Sequence, residues 1–169
     1  MKLSHLSSMA GLLTCLMASA PVLALSTDTE QPIYIDSDSQ QLDMQSNQVT
    51  FAGDVKLKQG SINISADKIV VTRDPVDGAI KQIEAYGQPS TFSQLTDDGN
   101  TLAGEAEELY YNMAADELLM LRRATLAQDG SKISGDKIRY KISEQKLVAD
   151  GAQTGGRVST VLQPPAKSE

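Results

Sequence analysis

Four short stretches of this chain share one pattern, and at each of them an alternating run of apolar residues changes the side it faces. The stretches are Ile35-Asp36-Ser37-Asp38, Ile64-Ser65-Ala66-Asp67, Leu102-Ala103-Gly104-Glu105 and Ile133-Ser134-Gly135-Asp136. Each reads as an apolar residue, any residue, a small residue and an acid. Ile33 and Ile35 precede Asp38, whereas Leu42 and Met44 follow it; Ile62 and Ile64 precede Asp67, whereas Ile69 and Val71 follow. Leu102 precedes Glu105, with Leu109, Tyr111 and Met113 after it, and Ile133 precedes Asp136, with Ile138, Tyr140 and Ile142 after it. Side chains of a strand alternate strictly between two faces, so a change of parity requires a bulge or a corner. A small residue beside the acid lets the backbone bend there. The acids are 29, 38 and 31 positions apart, within the ~20–50-residue range of stacked β repeats. Four kinked units joined into one curved sheet are expected.

The rest of the chain reads as strands. From Val49 to Lys58, Val49, Phe51, Val55 and Leu57 share one face with Gly53 in register, and Thr50, Asp54, Lys56 and Lys58 share the other. That period of two marks a half-buried strand. Turn signals recur at Ser46-Asn47, Gln59-Gly60, Asp77-Gly78, Asp98-Gly99, Asp129-Gly130, Asp150-Gly151 and Gly155-Gly156. With 169 residues, one all-β domain is expected.

The first residues read as an address. Met1–His5 is a weakly basic start, and Leu6–Ala18 is apolar or small and free of charge. Ala18 and Ala20 fit a signal-peptidase pattern, but Pro21 would follow that cut; Val22 and Ala24 fit with cleavage before Leu25. The run falls short of the ~20 residues a membrane anchor needs. Thr14 before Cys15 speaks against a lipoprotein site. Residues 1–24 are therefore expected to be removed, 25–163 to form the domain, and Pro164 onward to be a disordered tail.

Removal of that leader takes away the only Cys, the only His and Lys2, leaving fourteen Lys and Arg against twenty-two Asp and Glu. Catalysis by Ser-His-Asp or Cys-His and Cys/His zinc sites are excluded without imidazole or thiol. Disulfides cannot staple the domain. The acidic balance argues against a general nucleic-acid binder, and nothing resembles a nucleotide-binding loop. No cofactor is called for. The four acids are read as corner residues that bond nearby backbone N–H groups; a metal or catalytic role is the competing reading.

A further set of segments runs Gln31-Pro32-Ile33-Tyr34-Ile35-Asp36-Ser37-Asp38, Leu42-Asp43-Met44 with Val49-Thr50-Phe51 and Gly53, Ala66-Asp67-Lys68 with Val70-Val71-Thr72-Arg73, and Tyr86-Gly87-Gln88-Pro89-Ser90-Thr91-Phe92. Gly135-Asp136-Lys137-Ile138 with Tyr140, Glu144-Gln145-Lys146, and Arg157-Val158-Ser159-Thr160-Val161-Leu162 continue it. In order and spacing these segments resemble the LptA family of periplasmic lipopolysaccharide-transport bridge proteins. The likeness spans roughly residues 28–163. It implies a twisted, half-open antiparallel β jelly roll shaped like a V, with apolar inner faces. It implies a carrier of lipopolysaccharide rather than an enzyme. Its implied partners are an LptC-like inner-membrane protein, an LptD-like outer-membrane protein, and further copies stacked head to tail.

Acyl chains need a dry aliphatic track, and the inward positions supply one: Val49, Phe51, Val55, Leu57, Ile62, Ile64, Ile69, Val71, Phe92, Leu109, Tyr111, Ile133, Ile138, Tyr140 and Ile142. By the resemblance, Phe92 and Tyr111 line the groove and Ile33 and Ile35 stand at its N-terminal mouth. Each of these residues could instead simply fill the core. Arg73, Lys81, Arg122 and Arg123 are candidates for head-group phosphates, although Arg122-Arg123 departs from the Gly-containing turn usual in the family. A sheet that does not close leaves two edges open to strand addition. Pro32-Ile33-Tyr34-Ile35 is expected to accept an upstream partner, and Arg157-Val158-Ser159-Thr160-Val161-Leu162 to reach a downstream one.

Two other readings compete. A ligand-free structural or adhesive β solenoid explains the repeats equally well. A glycosidase would need paired carboxylates, for which Asp36/Asp38, Asp97/Asp98 and Glu107/Glu108 are candidates, but no Trp platform for sugar accompanies them. Asp74–Gly78 and Asp97–Asn100 lack the loop spacing of an EF-hand calcium site and read as turns.

Overall fold

The computed structural model describes residues 28–152 and 155–164. The leader and all of the C-terminal tail beyond Pro164 lie outside the described residues. After a short 3-10 turn at Asp28–Glu30 come ten strands: β1 (Ile33–Asp36), β2 (Ser39–Asp43), β3 (Gln48–Gln59), β4 (Ile62–Arg73), β5 (Ile80–Leu95), β6 (Thr101–Asn112), β7 (Glu117–Gln128), β8 (Ser131–Lys141), β9 (Lys146–Asp150) and β10 (Ser159–Val161). All belong to one antiparallel sheet in which β3 to β8 pair in chain order. At the first edge β1 and β2 pair with the two halves of β3; at the last, β10 and β9 pair with the two halves of β8. The all-β, half-open antiparallel expectation is met.

The sheet is creased along one line. Pairing slips between Ala52 and Val55, Ser65 and Lys68, Tyr86 and Ser90, Glu105 and Glu108, and Leu121 and Ala124. These slips lie side by side across the strands, so every strand bends at the same height. Layer one comprises β2, residues 48–52, 68–73, 80–86, 108–112, 117–121 and 137–141, and β9. Layer two comprises β1, residues 55–59, 62–66, 90–95, 101–106, 124–128 and 131–135, and β10. The crease turns their apolar faces toward each other, and the core fills the space between. Phe92 of layer two meets Tyr140 of layer one, ring centroids 6.1 Å apart.

At the crease β4, β6 and β8 point two successive residues outward: Asp67-Lys68, Glu107-Glu108 and Asp136-Lys137. Parity therefore changes as expected in β4 and β8. In β6 it changes two residues later than the repeat suggested, because Ala106, only 1% exposed, still faces the core. β3 and β7 instead insert an extra residue in the left-handed region, through Gly53 (φ 83°) and Asp54 (φ 38°) in one and Arg122 (φ 61°) and Arg123 (φ 52°) in the other. The arginine pair that breaks the family pattern thus does the work of Gly53-Asp54. Two non-glycine residues in this region cost energy. Both are held by carboxylates of the neighbouring crease: Arg122 Nε and Arg123 Nε donate to Glu107 at 3.1 and 2.7 Å, and Arg122 also pairs with Glu108.

Asp38 stands at its corner, but the expected bonding of the four repeat acids is not seen: the carboxylates that accept from backbone N–H groups among the described residues are others, such as Asp43, Asp28 and Asp116. The Asp38 N–H donates to the Gly53 carbonyl at 3.1 Å, and its carboxylate lies where a Cβ on Gly53 would sit. Other carboxylates bond turn N–H groups, as Asp74 does to Val76 and Asp77 to Ala79. Asp28 fastens the start of the domain: it is buried and accepts from the Ser61 N–H at 2.8 Å and from the Ser61 hydroxyl.

Gly53→Ala must therefore displace Asp38 as well as strain the backbone, whereas Gly99 (φ 77°) has open space around its missing Cβ. Gly53→Ala is expected to lower unfolding free energy by about 2–3 kcal/mol and Gly99→Ala by about 1 kcal/mol, read by urea denaturation. Equal losses would show that the Asp38 contact does not hold the crease.

Candidate functional site

The interior is apolar from one edge of the sheet to the other. In layer one a single inward row runs Leu42, Val49, Val71, Ile83, Tyr111, Leu118, Tyr140, Leu147, each residue the cross-strand partner of the next. In layer two the facing row runs Ile35, Leu57, Ile64, Phe92, Gly104, Leu126, Ile133, Thr160.

Of the residues expected to line a lipid track, Val55, Leu57, Ile64, Phe92, Leu109, Tyr111, Ile138 and Tyr140 are fully buried in the two-layer core. The middle of the molecule is closed by its own side chains. Tyr140 also spans the layers through its hydroxyl, which donates to Gln94 Oε1 at 3.3 Å. Ile33, Ile35 and Phe51 are only partly buried and stand at the first edge. Ile133, Leu147 and Ala149 are their counterparts at the last edge.

At that last edge the layers part around a cavity of about 240 Å³, lined by Leu102, Leu126, Ile133, Tyr140, Leu147 and Leu162, with Thr96, Gln128, Ser131, Lys132 and Gln145 at its margin. Sequence reasoning placed Ile133 inward and Leu162 on a partner edge, but did not join them. Leu147 and Ala149 alternate after the Glu144-Gln145 turn and were the available signal. A larger hollow of about 660 Å³, beside Asp28, Lys58, Asn63 and Thr101, is lined mainly by polar residues, with Leu95 as its one large apolar side chain.

The candidate cations are dispersed. Arg73 and Lys81 sit at the outer rim of layer one, where Arg73 Nε donates to the Gly78 carbonyl at 2.9 Å. Arg122 and Arg123 lie on the outer side of the crease, paired with Glu107 and Glu108. Those glutamates, proposed as a possible carboxylate pair, are thereby ion-paired away from the interior. Lys132, at the cavity margin, is the cation nearest the apolar opening.

Two tyrosines carry hydroxyls into this interior. Tyr140 has its pKa pushed up to about 12 and Tyr111 higher still, each chiefly by burial. The Tyr111 hydroxyl has no hydrogen-bond partner among the described residues.

Pro32–Ile35 and Ser159–Leu162 do lie at opposite free edges of the sheet. Most of the large apolar side chains left exposed gather at these edges: Tyr34, Leu42 and Met44 at the first, and Val148, Val158, Val161 and Leu162 at the last.

A single sheet creased into two layers, apolar within and unpaired at both ends, defines an open-edged β jelly roll. The family model of the LptA/(LptD N-terminal domain) LPS transport proteins matches residues 34–146. The chain is 47% identical to the lipopolysaccharide export system protein LptA of Escherichia coli (strain K12) over 149 residues, covering 88% of this chain and 80% of that one. It is 42% identical to the LptA of Haemophilus influenzae over 154 residues, covering 90% and 89%. The crystal structure of LptH, described as the LptA homologous periplasmic component of the lipopolysaccharide transport device of Pseudomonas aeruginosa, superposes with a TM-score of 0.75. That match has 25% identity and covers 82% of this chain and 99% of that one. The chain belongs to the LptA/(LptD N-terminal domain) family.

Because both tyrosine pKa values are raised in the folded state, their stability contribution is complete below pH ~10 and declines as the pH rises toward 12 and beyond. Tyr111→Phe is expected to raise stability at pH 7 by about 1 kcal/mol by removing an unpaired buried hydroxyl. Tyr140→Phe should flatten the loss of stability above pH 10. Denaturation midpoints from pH 7 to 11.5 check both.

Proposed function

We propose that this chain is a periplasmic carrier of lipopolysaccharide, holding the lipid's acyl chains between its two layers and passing them along a bridge between the inner and outer membranes. The observation that carries this reading is the apolar cavity at the last edge, continuous with the inward rows of this sheet, in a chain that belongs to a family of LPS transport proteins. Burying acyl surface there is favoured at about 25 cal/mol per Å². The attraction is non-directional, so a chain can slide without breaking specific bonds.

The closed middle bears on how a lipid is held. An acyl chain entering at Leu147 and Ile133 must part Phe92 from Tyr140 to go further, or stay at the open end. Entry at the first edge meets Ile33, Ile35 and Phe51. Lys132 is best placed to meet a head-group phosphate, with Arg73 and Lys81 on the rim. Because the mature chain carries a net negative charge, apolar contact must dominate, and binding should vary little with salt.

The two free edges support the bridging part of the reading. The β1–β2 edge would take an LptC-like donor, the β9–β10 edge an LptD-like acceptor, and each would also take another copy, a heterologous contact that does not close on itself. Export follows from the expected leader at residues 1–24. Among the described residues no helix is long and apolar enough to cross a membrane.

The packed centre also suits a ligand-free β array, and one experiment separates the two readings. Photo-crosslinkers at Leu147, Ile133 and Phe92 are expected to capture lipopolysaccharide in cells, most strongly at Leu147. Labelling at all three no greater than at outward-facing Lys56 sinks the carrier reading. Deleting residues 157–169 removes a strand of only three residues. It should abolish head-to-tail oligomers in sedimentation while leaving the monomer's circular dichroism nearly unchanged.

A further inference from the structure

Buried side-chain oxygens without a hydrogen-bond partner are rare in a well-packed interior, because each forfeits its bonds to water for nothing. Among the described residues there are four: Tyr111 Oη, Asp116 Oδ1, Gln59 Oε1 and Ser90 Oγ. Ser90 stands beside the crease, where the pairing of β5 with β6 slips. The other three belong to the seam opposite the crease, where the free rims of the two layers come together.

That seam is polar on both sides. On layer two, Gln59 pairs with Ile62, and Gln94 pairs with Leu102, which pairs with Gln128. The pairing of Asn63 with Ser93 sets Ile62 beside Gln94. The last inward row before the turns therefore reads Gln59, Ile62, Gln94, Leu102, Gln128, with a glutamine on every second strand. It ends at the cavity of the last edge, whose margin holds Thr96, Gln128 and Gln145. On layer one, Leu118 stands between Tyr111 and Tyr140 in the inward row, and Asp116 lies two residues before it in the β6–β7 turn. The Asp116 carboxylate adds to burial in raising the pKa of both tyrosines, so it lies close to both hydroxyls. Asp28, beside the β3–β4 turn of layer two, acts on Tyr111 in the same way. One bond already crosses the seam, from the Tyr140 hydroxyl to Gln94 Oε1. Asp116 uses its other oxygen, Oδ2, to accept from the Ser143 N–H and hydroxyl. Gln59 Nε2 donates to the carbonyls of Thr29 and Gln31. Two acceptors and one phenol are left unused.

We propose that this seam is a binding strip for the polar junction of an acylated guest, and that it selects chains bearing a hydroxyl or an amide N–H near the carbonyl over chains with ester oxygens alone. This rests on the carrier reading above. Acyl chains held between the layers place that junction at the seam. Ester oxygens, such as those of a glycerophospholipid, only accept, so they leave Asp116 Oδ1 and Gln59 Oε1 unpaired. A hydroxyl donates and accepts at once, which suits a place between Tyr111 Oη and Asp116 Oδ1; an amide N–H donates to either acceptor. The strip does not pin its guest. Strands lie about 4.8 Å apart, so successive glutamines recur at about 10 Å, and a bond broken at one is remade at the next. The Tyr111 hydroxyl, unpaired in the empty protein, is satisfied once such a guest is bound.

Three neutral probes of one chain length test this: methyl decanoate, its 3-hydroxy derivative and N-methyldecanamide, each displacing a fluorescent fatty acid from the purified protein. A bare apolar cavity prefers methyl decanoate, the most apolar of the three. The seam predicts the reverse, with the hydroxy ester and the amide bound about fivefold tighter. In Tyr111→Phe, which removes the hydroxyl and keeps the ring, the preference for the hydroxy ester should fall to about twofold or less. Asp116→Asn keeps the side chain's size and suits the left-handed backbone at that position (φ 48°); it should lower the preference for both donor-bearing probes. A wild-type preference for methyl decanoate overturns the proposal and leaves the carrier reading standing. A preference for the donor-bearing probes that survives in both variants overturns the seam as its source. Failure of every probe to displace the fluorescent fatty acid defeats the carrier reading, and the strip with it.

Discussion

A β-strand has two faces and a fixed alternation, so a sheet of long strands buries one face only if something lies against it. Here nothing else is available: the described residues hold no α-helix and no second sheet. The sheet must cover itself, and the crease is how it does so. Every strand has to bend at the same height and re-aim its side chains there, which explains why the irregular backbone is concentrated along one line. Gly53-Asp54, Asp67-Lys68, Glu107-Glu108, Arg122-Arg123 and Asp136-Lys137 are different local answers to that one demand. Glycine meets it without strain. The arginine pair meets it with strain, which Glu107 and Glu108 offset by holding both guanidinium groups on the outer side.

Folding a sheet on itself gives an interior whose middle packs well and whose ends do not. In the middle each layer meets the other, and Phe92 and Tyr140 close the space. At the ends there is no further strand to complete the walls, so Ile133, Leu147 and Ala149 at one end and Ile33, Ile35 and Phe51 at the other stay partly uncovered. A cavity at an end is therefore a consequence of the architecture rather than a separate invention. Such a site suits a long flexible guest, because its affinity grows with the surface covered and asks for no particular orientation.

The sequence disclosed the crease because parity is a rigid property of strands. Ile62 and Ile64 before Asp67, with Ile69 and Val71 after it, admit no flat strand. It misplaced the crease in β6, since Ala106 is too small to register as an apolar marker and Glu105 carried the expected acid. The inward list was legible for the same reason, but its meaning was not. Alternation says that Phe92 and Tyr111 face in; it cannot say whether the opposite layer has already taken the space. The cavity needed Leu102, Leu126, Leu147 and Leu162 brought together from four separate segments, and only the pairing of β6, β7 and β8 with β9 and β10 does that. The arginine pair looked like a broken motif because conformation, not residue type, is what the crease requires there.

Free edges are ordinarily a hazard, since unpaired N–H and C=O groups beside exposed apolar side chains invite indiscriminate pairing. This sheet keeps both edges, and the strands at the two edges run in opposite directions. They differ in charge as well: residues 28–47 at the first edge hold five acids and no Lys or Arg, whereas residues 142–164 at the last hold two of each sign. The incomplete walls of the interior and the unpaired strands at the edges are the same unfinished surface, so whatever completes the sheet also completes the apolar track.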